Sequence, residues 1–191
     1  MSSDVFARFD ALLASDEWTV AKKTADFTIW TSFDFETYVY KFRIQTVLPF
    51  DIARARTVMF DATERKRWEP TIETLRKIED RPDGSSVHYL SVRAPSFTGI
   101  WPRDFVVVRR EQAHVVIDES LEVAACPPKT KTHVRGRLLI SGSKMEPCDG
   151  ATAFDCVVHV DVAGTIPKTA INCFSTSQIV SWVTALRAQT A

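Results

Sequence analysis

The run ETYVYKFRIQTVL (Glu36–Leu48) decides the fold class. Tyr38, Tyr40, Phe42, Ile44 and Leu48 fall on its even positions, while Lys41, Arg43 and Gln45 hold odd ones. A period of two built from aromatic and β-branched residues is a strand with one face buried and the other wet. Upstream, DFTIWT (Asp26–Thr31) has the same character. Earlier still, Asp4–Ala14 sets Val5, Phe9, Leu12 and Leu13 at near-helical spacing, which predicts a short amphipathic helix. Downstream, Asp51 is placed to cap a helix through Phe60, with Ile52, Val58 and Met59 as its apolar positions.

Beyond Trp68-Glu69-Pro70 the strand signal recurs over Ile72–Glu79, Ser86–Arg93, Asp104–Arg110, His114–Glu122, His133–Ser141 and Thr152–Val162. RPDG (Arg81–Gly84), CPPK (Cys126–Lys129) and EPCDG (Glu146–Gly150) supply turn chemistry between them. Links this short favour antiparallel pairing, because a parallel crossover takes about a dozen residues or more. A final helix is predicted over Lys168–Ala188. Pro167 suits its first turn, Ala170, Ile171 and Phe174 cluster, and Ile179, Trp182, Val183 and Leu186 follow at i, i+3, i+4, i+7. The predicted class is α+β, a curved antiparallel sheet gripping one long C-terminal helix. Such a sheet can enclose a gap, and an apolar gap stays dry and accepts apolar ligands.

At 191 residues the chain is the size of one domain, and one domain over 1–191 is expected. Lys plus Arg equals Asp plus Glu at 24 each, which argues against a nucleic-acid partner and against purely electrostatic attachment to anionic membranes. MSSDVFARFDALLASDEW carries acids and has no basic start before an apolar run, so it does not read as a secretory signal. No stretch approaches the roughly 18 apolar residues of a membrane span. Cys126, Cys148, Cys156 and Cys173 are scattered without a CxxC pair. Reduced thiols in a cytoplasmic protein are expected, with no metal and no cofactor.

Four stretches together resemble a StAR-related lipid-transfer (START) domain. They are RKRWEP (Arg65–Pro70), WPRDFVVVRR (Trp101–Arg110), HVRGRLLISG (His133–Gly142) and HVDVAGTIPKTAIN (His159–Asn172). Their order and spacing carry the resemblance over roughly Trp18–Gln189. It implies a helix-grip fold with a hydrophobic tunnel for one sterol, phospholipid or similar lipid. It also implies a gate made by the closing helix and the loop PSFTGIWP (Pro95–Pro102). Phe97, Ile100 and Trp101 of that loop, with Ile179 and Trp182 of the helix, are the expected gate and membrane-contact residues. Aromatic side chains suit the headgroup boundary, and Trp adds a polar N–H.

By alternation Phe105, Val107 and Arg109 share one face. The matching arginine of steroid-carrying members points into the tunnel and meets a glutamate on the preceding strand. Here that strand, Val87–Arg93, contains no acid. A buried guanidinium must meet an acid, water or a polar ligand head. His133, Arg135 and Arg137 alternate onto one face, as do Tyr89, Ser91 and Arg93. Either set could be a solvated outer face or a basic inner one suited to an anionic headgroup. Arg135 matches the family pattern. Arg103 and Asp104 are expected to pair with each other at the strand entry. Tyr40, Phe42, Tyr89, Phe105, Val107, Val158 and Phe174 are the expected walls, with Arg109, Arg135, Ser91 and Arg93 as polar lipid contacts. Asp155, His159 and Asp161 alternate together, but no nucleophile elbow or Cys/His signature accompanies them. The expected function is therefore non-enzymatic lipid binding and transfer by a monomer that touches membranes transiently. A ligand sensor and a helix-grip enzyme such as a cyclase are the alternatives.

Overall fold

The computed structural model describes residues 3–93, 101–124, 126–128, 131–164 and 168–190, with side chains at 5–93, 101–124, 126–128, 131–164 and 176–190. The elements run α1 (Ser3–Ala14), β1 (Thr19–Lys23), β2 (Phe27–Asp34), β3 (Val39–Leu48), α2 (Ile52–Phe60) and α3 (Ala62–Trp68). They continue with β4 (Ile72–Asp80), β5 (Ser86–Val92), β6 (Arg103–Gln112), β7 (Val115–Ser120), β8 (Val134–Arg135), β9 (Arg137–Cys148), β10 (Ala151–Asp161) and α4 (Lys168–Arg187). Nine strands form one antiparallel path, β1-β2-β3-β10-β9-β7-β6-β5-β4, and β8 adds a short parallel pairing to β6. After β3 the chain crosses through α2 and α3 to the far edge at β4. The meander then returns until β10 lies beside β3. This is the predicted α+β class.

The two faces of the sheet bury different helices. On the inner face α4 sets Val183 and Leu186 among Phe27, Ile29, Phe42, Ile44, Leu48, Met145, Phe154 and Cys156. The stripe read from sequence is the one that packs: Ile179 and Trp182 also lie against this core. Trp182 stacks near Trp68 at 5.8 Å and Phe154 at 6.4 Å, and its Nε1 donates to Glu69 Oε2 at 3.2 Å. On the outer face α1 presses Val5 and Phe9 against Ile117, Ile140 and Val157. Gly142 permits that contact, because a Cβ there would sit 2.3 Å from the Phe9 ring.

Asp51 caps α2 as predicted, its Oδ1 accepting from Arg54 N at 2.8 Å. The strand Glu36–Leu48 starts later than its alternation suggested. Tyr38 sits in the turn with φ of +57°, and pairing begins at Val39. Two elements carry no periodic signal and were not expected: β1, exposed along its length, and α3, a seven-residue helix with only Trp68 buried. Arg65, Lys66 and Arg67 form the last turn of α3.

Candidate functional site

Register brings a single row of side chains together across the inner face. Ser86 of β5 pairs with Arg109 of β6, Arg109 with Asp118 of β7, and Asp118 with Ser141 of β9. Ser141 then pairs with Val158 of β10, and Val158 with Phe42 of β3. The row is polar over four strands and apolar over the next two. Phe42 lies inside the α4 core, and from it the register passes to Thr31 of β2.

Arg109 is the centre of the polar half. Its Nε donates to Asp118 Oδ1 at 2.8 Å and its Nη2 to Asp118 Oδ2 at 2.7 Å, a bidentate pair. The guanidinium lies 4.6 Å from the centre of the Phe60 ring, and its side chain is only 7% exposed. Burial works against its charge, but Asp118 outweighs burial and holds the group above its ordinary value. The missing acid on Val87–Arg93 is thus supplied from the opposite side, by the following strand. Beside the pair, Ser86 Oγ and His88 Nε2 are 2.8 Å apart. Burial, then the neighbouring Arg109, push the His88 imidazole below its ordinary value. His88 pairs across to Val107, and Leu90 to Phe105, so both belong to the inner face.

Several expected residues lie elsewhere. Tyr89 and Ser91 are buried on the outer face, because Arg109, Val107 and Phe105 pair with Ser86, His88 and Leu90 instead. Tyr89 packs there with Val87, Val106 and Cys126. Arg93 is beyond the strand end, 64% exposed at its side chain and 3.5 Å from Glu73. Arg135 is also outside: its Nε and Nη2 donate to Asp104 at 2.9 and 3.1 Å, and it reaches the Cys126 and Pro127 carbonyls. Arg103 therefore does not pair with Asp104. Its Nε and Nη2 donate to the carbonyls of Val162 and Ala163 at 3.1 and 3.2 Å, and Nη1 to that of Trp101. His133 lies 3.5 Å from Glu73, and Arg137 is exposed.

Tyr40, Phe42, Phe105, Val107 and Val158 do share the inner face with Arg109. Trp101 is half exposed, whereas Ile179 and Trp182 are packed inward rather than presented to the surface. Phe97, Ile100 and the Phe174 side chain lie outside the described residues. On the outer face Asp155 accepts from Arg43 at 3.0 and 2.6 Å, and Arg43 Nη1 donates to the Leu13 carbonyl at the end of α1. His159 meets Asp34 at 3.3 Å rather than Asp155 or Asp161. An open groove of about 780 Å³ on this side is bordered by Asp10, Lys23, Arg43, Lys144, Glu146 and Asp155. Its mixed charge and openness suit water and ions more than an acyl chain.

Sequence reasoning missed Asp118, His88, Ser86 and Phe60. The partner of Arg109 is set by the turn at Ala113-His114, which pairs Gln112 with Val115 and, counting back, Arg109 with Asp118, and no turn residue marks it in the sequence.

The START domain family model matches residues 10–190, and the chain belongs to that family. Among solved structures, human STARD10 superposes with a TM-score of 0.87 at 18% identity, covering 97% of this chain and 78% of that one. Human StAR-related lipid transfer protein 5 gives 0.85 at 18% identity, covering 99% and 94%. The Zhui aromatase/cyclase from Streptomyces sp. R1128 gives 0.56 at 13% identity, covering 78% and 92%. No curated protein sequence matches the chain. Among the described residues, no helix is long and apolar enough to cross a membrane.

Proposed function

We propose that this protein holds one amphipathic lipid between the inner face of the sheet and α4 and carries it between membranes. The observation that carries the reading is the row from Ser86 through Arg109, Asp118 and Ser141 to Val158 and Phe42. A lipid laid along it would meet charge and hydroxyls at its head and apolar walls at its tail. Arg109 keeps guanidinium N–H donors beyond the two that Asp118 accepts, suited to a phosphate ester or to a hydroxyl. Tyr40, Phe42, Phe105, Val107 and Val158 would line the tail, and each Å² of acyl surface they cover favours binding by ~25 cal/mol before ordering costs. The Phe97, Ile100 and Trp101 loop and the α4 helix, with Phe174, Ile179 and Trp182, form the gate in this reading.

The protein acts as one non-enzymatic, monomeric, cytoplasmic domain that visits membrane surfaces and needs no cofactor or nucleic acid. Ser86 and His88 resemble the start of a catalytic set, but Asp118 already gives both oxygens to Arg109. A nucleophile needs its base oriented by such a third group. The test is transfer of fluorescent phospholipids and sterols from donor to acceptor vesicles. One class should move faster with the protein than without it. Absence of acceleration across all classes, with no lipid retained by the protein, would overturn the proposal.

A further inference from the structure

The turn between β2 and β3, residues 34–38, carries two exposed aromatic side chains that the proposed lipid walls do not include. Phe35 is 77% exposed and Tyr38 is 59% exposed. Phe33 ties them together, its ring 5.0 Å from Phe35, 6.2 Å from Tyr38 and 5.1 Å from Tyr40, all edge to face. Tyr40 in turn lies 6.4 Å from Phe42. A continuous aromatic run therefore leads from the exposed tip to the α4 core.

Three hydrogen bonds within the turn hold its shape. Asp34 Oδ1 accepts from Glu36 N at 3.0 Å, Oδ2 accepts from the Thr37 hydroxyl at 2.7 Å, and the Asp34 carbonyl accepts from Tyr38 N at 2.8 Å. Burial pushes the Asp34 carboxyl up, but the Thr37 and Glu36 bonds outweigh it and hold it below its ordinary value. His159 backs the turn from β10, 3.2 Å from Thr37 Oγ1 and 3.3 Å from Asp34 Oδ2. These internal bonds lower the cost of leaving water for the groups that make them, and aromatic side chains favour the headgroup boundary. Tyr38 holds a positive φ of 57°, a conformation disfavoured for a bulky residue, and that conformation keeps its ring at the tip.

Placement points the same way. The pairing of Lys41 with His159 sets this tip at the end of the sheet where β10 leads into α4. Arg103, bonded to the Val162 and Ala163 carbonyls, brings the half-exposed Trp101 to that same end. Charge selects among surfaces. Residues 34–38 read DFETY, with two acids and no base, and nearby Lys41 is already held by Glu17 at 2.7 Å. Attraction to anionic lipid needs Lys or Arg, which the tip lacks.

We propose that Phe35 and Tyr38 form a fixed prong that docks the protein on zwitterionic bilayers, with the aromatic run behind it leading towards the lipid site. This rests on the lipid-carrier reading above. The test uses the full chain, phosphatidylcholine vesicles and the variant Phe35→Ser with Tyr38→Asn, since Asn tolerates the positive φ. Vesicle flotation and vesicle-to-vesicle transfer should both fall about tenfold. Melting temperature and the lipid retained in solution should stay as in the parent protein. Added phosphatidylserine should not restore binding. In Phe35→Trp, the new indole should blue-shift on vesicles and be quenched by brominated lipid. Equal flotation of variant and parent overturns the prong. So does binding that appears only with phosphatidylserine, or parent self-association that the variant abolishes. A parent protein that retains lipid but ignores phosphatidylcholine vesicles also overturns the prong while leaving the carrier reading intact.

Discussion

Strand β6 takes part in two arginine–aspartate pairs, one on each face of the sheet. Arg109–Asp118 lies on the inner face and Arg135–Asp104 on the outer. Both are bidentate, and in each at least one partner is fully or nearly fully buried. Their surroundings differ. Arg135 spends its remaining donors on the Cys126 and Pro127 carbonyls, which close the outer pair under the chain that follows β7. Arg109 instead meets the face of Phe60 and a row of hydroxyls that continues into apolar walls. The same chemistry is a clasp on one face and, in the function proposed above, an anchor for a polar head on the other. Alternation along one strand separates the two roles.

The largest expected effects come from breaking either pair. Asp118→Ala strands the buried Arg109 guanidinium and Arg135→Ala strands the buried Asp104 carboxylate, and each should cost about 3–5 kcal/mol in chemical denaturation. What separates the faces is the double replacement. Arg109→Leu with Asp118→Leu should return to within about 2 kcal/mol of the parent, because apolar residues can replace a buried pair. It should also lose headgroup discrimination. Arg135→Leu with Asp104→Leu should leave lipid selectivity unchanged. A shift in selectivity from the outer pair would break the comparison.

A smaller effect tests the structural role of the outer face. Gly142→Ala puts a Cβ into the Phe9 ring and should destabilise by about 1–3 kcal/mol through displacement of α1, read by thermal melting. An unchanged melting temperature would mean that α1 contributes little.

Protonation gives a gentler contrast between the faces. Burial holds both His88, inside, and His159, outside, below the ordinary 6.5. Well above pH 6.5 both rings are neutral in the folded and unfolded chain, so neither alters stability. Below it the unfolded chain takes protons that the folded chain refuses, so stability falls as pH falls, until the folded-state values are passed. Melting temperature should drop between pH ~7 and pH ~5, and His88→Gln with His159→Gln should flatten the drop. A parent protein whose melting temperature is flat over that range would contradict this account. The smallest effect is at a helix start: Asp51→Ala should remove about 1 kcal/mol with no change in lipid binding.

The elements were legible where one face alone is buried. Phe42 and Ile44 alternate with Lys41, Arg43 and Gln45, and the α4 stripe packs as it reads. Strand β5 was not legible in the same way, because both its faces are covered. Val87 and Tyr89 are buried outside while His88 and Leu90 line the inside, so alternation offers no choice between them. Asp118 was hidden by its turn. Ala113-His114 contains no Gly, Asn, Asp or Pro, yet Ala113 adopts φ of +49°, and without that turn the register of β6 on β7 cannot be counted. A buried ion pair between strands is a fact of register, and register follows from hydrophobic pattern and turn geometry, neither of which is readable at β5–β7.

Native mass spectrometry with lipid extraction, applied to the full chain and to Arg109→Leu with Asp118→Leu after exposure to mixed phospholipid and sterol vesicles, tests the central claim most directly. The parent should carry one lipid with a narrow headgroup distribution. The double variant should carry one lipid with a broadened distribution. A parent protein that binds no lipid, or a double variant with the parent's headgroup distribution, would contradict the inner-face anchor.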